Sequence, residues 1–399
     1  MKKTQPTSAR ATRRLDIVIF GATGFTGGLT AEYLARHADK KLRWALAGRN
    51  RDKLVAVRER LVAINPACKR LELLEADVGD AESIRLVAES AAVVITTVGP
   101  YLNYGEALVA ACAAAGTDYV DLTGEPEFVD RMWLKYNKQA QESGARIVNC
   151  CGFDSIPHDL GAWFTVQHLP EGVPLKVEGF VRGGGKFSGG TLHSAVTAFS
   201  RMREGVKIAR QRRASEGRPA GRKIASTHEK IHYEESFGAW AVPMPTIDPQ
   251  MVRRSAAANE RYGPDFRYGH YVLVKRLPQV ALLVAAVGGI FAGAQFKLTR
   301  DQLLKLISPG EGPDAAQREK GWFKVCFIGE GGGKRVVTEV AGGDPGYGET
   351  AKMLGESAMC LAFDKLPRQG GVITPAQAMG DALMARLQAA GIRFSVLAD

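Results

Sequence analysis

The chain has 399 residues, 45% of them hydrophobic and 24% charged. That composition fills a core and excludes a disordered, collagen-like or disulfide-stapled polypeptide, and at roughly 150 residues per domain the length implies two or three domains. The net charge is +11, held unevenly: residues 1–14 carry +5 and residues 201–223 carry +7, so the remaining body is near neutral. A basic excess of this size points to nucleic acid, an anionic membrane or a phosphate-bearing ligand. Residues 201–223 contain no aromatic side chain on which a base could stack, which argues against nucleic acid. An acidic acyl carrier, a CoA phosphate and an anionic membrane surface stay as candidate partners. A homodimer stays open.

From residue 15 the chain alternates short apolar runs with helix-period segments. The runs at 16–20, 43–47, 71–75, 92–97, 118–121 and 146–148 predict strands. The segments 27–37, 53–63, 81–90, 105–115 and 126–143 predict helices. Strands separated by helices make right-handed crossovers, so the expected fold class is α/β, a Rossmann-type doubly wound parallel sheet. After residue 150 the texture becomes glycine- and strand-rich, predicting a second, α+β substrate domain. Four segments follow: a basic disordered tail at 1–14, an NADP-binding domain at 15–150, a substrate domain at 151–349, and C-terminal helices at 350–399 packing back on the first domain. In the last of these, Thr374-Pro375 reads as an N-cap followed by proline at the first helical position.

Six cysteines show no CxxC pair and no metal-ligand spacing, so they read as reduced, buried thiols and no metal is expected. Asp16 interrupts the apolar run after the basic start and no small-residue cleavage site follows, so export is not expected. The expected location is cytoplasmic, with a peripheral contact at the inner face of the membrane left open. Residues 280–294 carry no polar side chain. They fall short of the ~20 needed to span a bilayer. A buried core helix or an apolar substrate wall is preferred to a membrane-surface contact, and a span comes last.

The strongest chemical signal is Gly21-Ala22-Thr23-Gly24-Phe25-Thr26-Gly27, between the first strand and the first helix. Glycines at this spacing allow a tight turn, a close approach of backbone to pyrophosphate and tight helix–strand packing, with the helix amides meeting the phosphates. Gly21, Thr23, Gly24, Phe25, Thr26 and Gly27 are therefore expected to bind a dinucleotide. The second strand ends Ala47-Gly48-Arg49-Asn50-Arg51, without the acid that would take a ribose 2′-hydroxyl. Arg49, assisted by Asn50 or Arg51, suits a 2′-phosphate, so the expected cofactor is NADP(H). Asp77, after the third strand, falls near the adenine position. Gly99 and Pro100, after the fourth, fall beside the nicotinamide ribose.

Taken together, GATGFTG, AGRN, TTVGPY, YVDLTGE and CCGFDSIPHDLG resemble the saccharopine dehydrogenase-like oxidoreductases. Within them, the basic body, the apolar 280–294 segment and the tail GDPGYGETAKMLGESA…GGVITPAQAMGDAL are most similar to the trans-acting enoyl reductases. The resemblance implies a Rossmann domain, a second domain carrying the substrate, and NADPH-dependent reduction of a carbon–carbon double bond in a lipid precursor. Reduction of an enoyl group makes an enolate, which needs an oxyanion donor and a proton source. Tyr101, Asp154, His158 and His193 are the candidate catalytic groups. Asp154 also reads as a cap for the following helix, and His158 as a satisfied helix residue.

The Tyr271…Lys275 pair matches a YxxxK pattern but lies far beyond the dinucleotide domain, so it carries no catalytic reading. The stretch 183–191 lacks the Ser or Thr that must follow GK in a triphosphate loop, although Lys186 or Ser188 could meet an acyl carbonyl. Two other readings stay open: a saccharopine-type amino-acid dehydrogenase, and a dinucleotide-bound, membrane-associated protein without catalysis.

Overall fold

The computed structural model describes residues 13–184, 189–227, 230–305 and 313–397. Residues 1–12 of the basic tail, and Lys186 and Ser188, lie outside the described residues. The chain divides into two compact units. The first comprises Met1–Thr123, Phe128–Gly152 and Tyr347–Arg386, and the second Gly124–Glu127, Phe153–Gly346 and Leu387–Asp399.

The first unit is built on strands β1 (Leu15–Phe20), β2 (Trp44–Gly48), β3 (Glu72–Glu75), β4 (Ala91–Thr96), β5 (Asp118–Val120) and β6 (Arg146–Val148). Helices between them carry each crossover, and every pairing is parallel. β1 and β2 are buried along nearly their whole length because helices cover both faces. The order β3-β2-β1-β4-β5-β6 reverses between β1 and β4. That reversal opens a crevice at the carboxyl ends of these two strands.

The second unit holds a mixed sheet. Its strands are β7 (Leu175–Gly184), β8 (Lys223–Ser226), β9 (His232–Glu234), β10 (Ala239–Pro243), β11 (Asp265–Val274), β12 (Trp322–Gly331) and β13 (Lys334–Gly342). The chain then returns to the first sheet, where β14 (Gly371–Ile373) pairs with β6 as a seventh strand. It ends with β15 (Arg393–Leu397) beside β13 in the second sheet. The second order is β15-β13-β12-β7-β11-β10-β9, with β8 beside β11.

This corrects the expected C-terminal segment: 350–399 is not a purely helical element docked on one domain. The helix Gly348–Phe363 does pack in the first unit. A side chain at Gly355 would stand 2.9 Å from Tyr33 Cδ1, and Tyr33 donates to Glu356 Oε1 at 2.6 Å. The last residues instead complete the second sheet. A three-residue strand such as β14 has too few alternations to show as a period in sequence. The Thr374 cap forms, accepting from the amide of Gln377 at 3.3 Å with Pro375 at the first helical position. Arg13 and Arg14, expected in the tail, are held: Arg13 donates to the Ala115 carbonyl at 2.6 Å and Arg14 pairs with Glu72.

Six cysteines are buried and form no disulfide among the described residues. In the second unit the helix Ile156–Gln167 presses onto the sheet, and a Cβ at Gly161 would stand 2.3 Å from the Phe327 ring. The apolar helix Leu277–Gln295 is mostly outside the core. Only Val280 and Ala294 are buried, and Leu282 is 71% exposed. Of the preferred reading of 280–294, a core helix or an apolar substrate wall, the core-helix half is therefore overturned. The helix Ile156–Gln167 packs on β7, β12 and β13, whereas Leu277–Gln295 touches β10, β11 and the helix Gly189–Ser200 along one stripe.

Candidate functional site

In the first unit the glycine loop forms a cradle that only glycine permits. Gly21 has φ +89°, and a Cβ there would lie 2.6 Å from Val98 Cγ2 and 2.9 Å from Thr97 Oγ1. A Cβ on Gly27 would lie 2.2 Å from the Gly21 carbonyl oxygen. Gly21 and Thr97 are also tied directly, by a 3.2 Å hydrogen bond from Thr97 Oγ1 to Gly21 O. The loop at the end of β1 and the segment after β4 thus adjoin at the crevice.

The helix Phe25–His37 begins there with Gly24 as its N-cap. No side chain caps its first amides, and no acid stands in its first turn. A helix N-terminus without a side-chain cap or an acid suits an anion, and the helix dipole favours one. Thr23 and Gly24 are exposed, and Phe25 and Thr26 half-buried. At the end of β2, Arg49 is exposed. Asn50 is exposed too, but its Oδ1 caps the helix Arg51–Ile64 by accepting from Lys53 N at 2.8 Å. Its side-chain oxygen is thereby engaged in the helix cap. Asp77 shapes the turn after β3, accepting from Gly79 N at 2.8 Å. Gly99 and Pro100, which are joined by a cis bond, follow β4.

Tyr101 does not stand as a free acid. Its ring is 4% exposed, its hydroxyl donates to the Thr96 carbonyl at 3.2 Å, and it accepts from Leu122 N at 3.4 Å. Its hydroxyl proton is engaged by backbone. Asp121, at the end of β5, is likewise structural. It accepts from Tyr119 Oη, Asn149 Nδ2, Thr123 N and Cys150 N, and burial pushes it up to about 6 against those bonds.

In the second unit a charged cluster forms around Asp248, the first residue of the helix Asp248–Ala258. Thr246 donates to its Oδ2 at 2.6 Å. Its Oδ1 lies 3.1 Å from Nδ1 of His158, on the helix Ile156–Gln167, and its Oδ2 lies 3.6 Å from Nε2 of His270, on β11. Tyr268 meets His270 Nδ1 at 3.3 Å. His158, Asp248 and His270 are all about 1% exposed. His158 Nε2 is buried and makes no hydrogen bond. Asp154 completes the group. Its carboxyl interacts electrostatically with both Asp248 and His158, and a Cβ at Gly124 would stand 3.3 Å from its Oδ2.

The charges in this cluster are set by burial and by one another. Burial opposes charge on His158, but the Asp248 carboxylate outweighs it and raises the imidazole above its usual range. Burial likewise works against ionised Asp248, yet His158 holds that carboxyl well below the usual range. His270 is pushed down to about 3 by burial, with His158 adding repulsion, so it is neutral. Asp154 is pushed up to about 7, first by burial and then by Asp248. It keeps some accessible surface while the protein around its carboxyl removes water.

A buried His158–Asp248 ion pair therefore stands beside a carboxyl that exchanges its proton near neutrality, where acid catalysis is most effective. Ligand-type atoms of His158, Asp248 and His270 lie within 4.8 Å of one another. His158 Nδ1, however, also lies 3.1 Å from the Phe153 carbonyl. A nitrogen facing a carbonyl carries a proton, so His158 Nδ1 donates to Phe153 and faces the Asp248 carboxylate as an ion pair, while Asp248 Oδ2 and His270 Nε2 stand 3.6 Å apart.

Residues 17–148 match the family of the saccharopine dehydrogenase NADP binding domain. A putative trans-acting enoyl reductase of Mycobacterium tuberculosis is 40% identical over 95% of this chain and 97% of its own length. A trans-acting enoyl reductase of Mycobacterium ulcerans is 36% identical over 96% and 97%. The chain belongs to the saccharopine dehydrogenase-like oxidoreductases, in the trans-acting enoyl reductase group. Apo saccharopine dehydrogenase (L-Glu forming) of Saccharomyces cerevisiae has a similar fold, with a TM-score of 0.57 at 13% identity over 96% of this chain and 100% of that one.

The oxidoreductase uses NADP(H), and the uncapped helix amides and the glycine cradle fit that cofactor. Of the four expected catalytic groups, the charged cluster unites Asp154 and His158 and adds two that sequence reasoning missed, Asp248 and His270. Asp248 reads in sequence as an ordinary Asp-Pro helix start, and His270 as a lone histidine in an alternating strand. Nothing in their spacing joins them. His193 stands on another element, the helix Gly189–Ser200.

Proposed function

We propose that the protein reduces a carbon–carbon double bond conjugated to a thioester carbonyl in an apolar acyl substrate. NADPH, when bound, supplies the hydride. Hydride addition at the β-carbon leaves an enolate whose α-carbon must take a proton. Asp154 delivers that proton, and the imidazolium of His158 steadies negative charge as it develops. Asp248 keeps His158 charged, and neutral His270 closes the other side of Asp248 without competing for its charge.

The observation that carries this reading is the buried His158–Asp248 ion pair with the Asp154 carboxyl beside it, where burial and the Asp248 charge push that carboxyl up to about 7. The enoyl reductase names of the relatives support the double bond as the target. Arg49, exposed at the end of β2, takes the 2′-phosphate of the cofactor.

A saccharopine-type substrate would want two or more arginines held ready for carboxylates. In the second unit Arg201 is committed to Glu127, and Arg212 and Arg254 to Glu216. Arg222 donates to the carbonyls of Ala256, Ala257, Asn259 and Gly263, and Arg261 to those of Gln167 and Leu169. That favours the acyl reading.

The test is incubation of the purified protein with NADPH and a trans-2-enoyl thioester, with product mass followed. A saturated product two hydrogens heavier is expected. Turnover of saccharopine with NADP+, and none of the thioester, would reverse the choice.

A further inference from the structure

Among the described residues, Leu277–Gln295 is the one helix long and apolar enough to cross a membrane, and the proposed reaction gives it no part. Among its side chains and those just beyond, Leu277 is 54% exposed, Leu282 71%, Val284 48%, Phe291 39%, Phe296 69% and Leu298 74%. Contiguous exposed apolar surface of this kind is rare on a soluble face and marks a site of contact. The stretch 277–296 contains no charged residue. Its borders do: Lys275 and Arg276 precede it and Lys297, Arg300 and Lys305 follow, against the single acid Asp301.

A second basic element lies beside the carboxyl end of this helix. Gln295 Nε2 donates to the Phe199 carbonyl at 3.0 Å, and the Phe199 and Phe291 rings are 5.6 Å apart. Arg201, Met202, Arg203, Phe291 and Gln295, with the acid Glu204, line one surface depression. From there the helix Met202–Glu216 presents Arg203, Lys207, Arg210 and Arg213 to solvent. The excess charge of 201–223 is thus narrower than the sequence suggests, because Arg201, Arg212 and Arg222 are spent on internal partners.

We infer that the helix Leu277–Gln295 docks in the plane of an anionic phospholipid bilayer, its exposed face among the acyl chains and Arg203, Lys207 and Arg210 at the headgroups. An apolar face rimmed by cations matches such a surface, where insertion and headgroup attraction act together. The helix is long enough to cross a bilayer: 19 residues at ~1.5 Å each give about 28 Å. Its surroundings argue for lying flat. Positions 280, 283, 287, 290 and 294 form one stripe at helical spacing that is buried or half-buried. β11 before it and β12 after it flank the same strand, β7. Both ends of the excursion therefore return to one sheet.

The experiment is flotation of the full-length protein with vesicles of phosphatidylcholine alone and of phosphatidylcholine with phosphatidylglycerol. Binding is expected only to the anionic vesicles, and high salt should release it. Each of Arg203→Gln, Lys207→Gln and Arg210→Gln should weaken partition about fivefold, since a basic residue near such a surface is worth ~1 kcal/mol. Leu282→Glu with Phe291→Glu should abolish it, while NADPH affinity stays unchanged as a control for folding. Equal binding to neutral vesicles, or insensitivity to these substitutions, overturns the inference. Release by detergent but not by salt would mean a span and overturn it too. So would a homodimer in solution that Leu282→Glu dissociates without any vesicle binding.

Discussion

Replacement of Arg49 by alanine isolates the contact proposed to select the cofactor. Arg49 ends β2 one residue past Gly48, where an NAD enzyme carries an acid, and no acid appears before Asp52. A charge-assisted hydrogen bond contributes ~1.5–3 kcal/mol. Because the guanidinium is exposed, solvent screening places the contact at the lower end, ~1.4 kcal/mol, or about tenfold in affinity. NADPH should therefore bind wild-type protein at least tenfold more tightly than NADH, and Arg49→Ala should erase that difference by weakening NADPH alone. Arg49→Glu should invert it, since a carboxylate repels the 2′-phosphate and accepts from a 2′-hydroxyl. Fluorescence titration of both cofactors at two salt concentrations reads these values, and the wild-type preference should narrow in high salt. An Arg49→Ala protein that keeps its preference for NADPH would refute the assignment.

Gly27→Ala should weaken NADPH binding at least tenfold in the same titration. Its methyl would stand 2.2 Å from the Gly21 carbonyl, and overpacking of this kind costs ~1–3 kcal/mol. Turnover should fall about tenfold per pH unit above about 7, because the proton donor is the acid form of Asp154, and Asp154→Asn should remove that limb together with most of the rate. Asp248→Asn should move the same limb to lower pH by about one unit, because the Asp248 charge raises both Asp154 and His158; a pH–rate profile that does not move would rule out the coupling. Arg146→Ala should cost ~3–5 kcal/mol in urea unfolding, since Arg146 holds the buried Asp118 at 2.9 Å and the Leu361 carbonyl at 2.9 Å. Arg146→Met with Asp118→Leu should recover much of that loss.

The first domain was legible in sequence because its signals are local. Each of its first six strands is a short apolar run between helix-period segments, and the glycine loop must sit at a strand–helix junction to make sense. Asn50 was placed correctly but given the wrong emphasis, since a helix cap and a phosphate ligand ask for the same residue type in the same place. The buried charged cluster was legible only by halves. Asp154 and His158 are four residues apart and stand out together, whereas Asp248 and His270 reach them through a helix start and a strand about 90 to 120 residues away. Burial, which sets the Asp154 carboxyl, has no sequence signature at all. The apolar segment 280–294 misled for the opposite reason. Apolar composition ordinarily means core, and only the structure shows that all but one stripe of this helix is exposed.

The central claim divides the reaction between a hydride from the cofactor and a proton passed through Asp154. It is tested most directly by running an enoyl thioester with NADPH deuterated at C4, in ordinary water and then with unlabelled NADPH in heavy water, and locating the label by NMR. The account predicts cofactor deuterium only at the β-carbon and solvent deuterium only at the α-carbon, with Asp154→Asn slowing the protonation step. Label from the cofactor at the α-carbon, or unchanged protonation in Asp154→Asn, would contradict it.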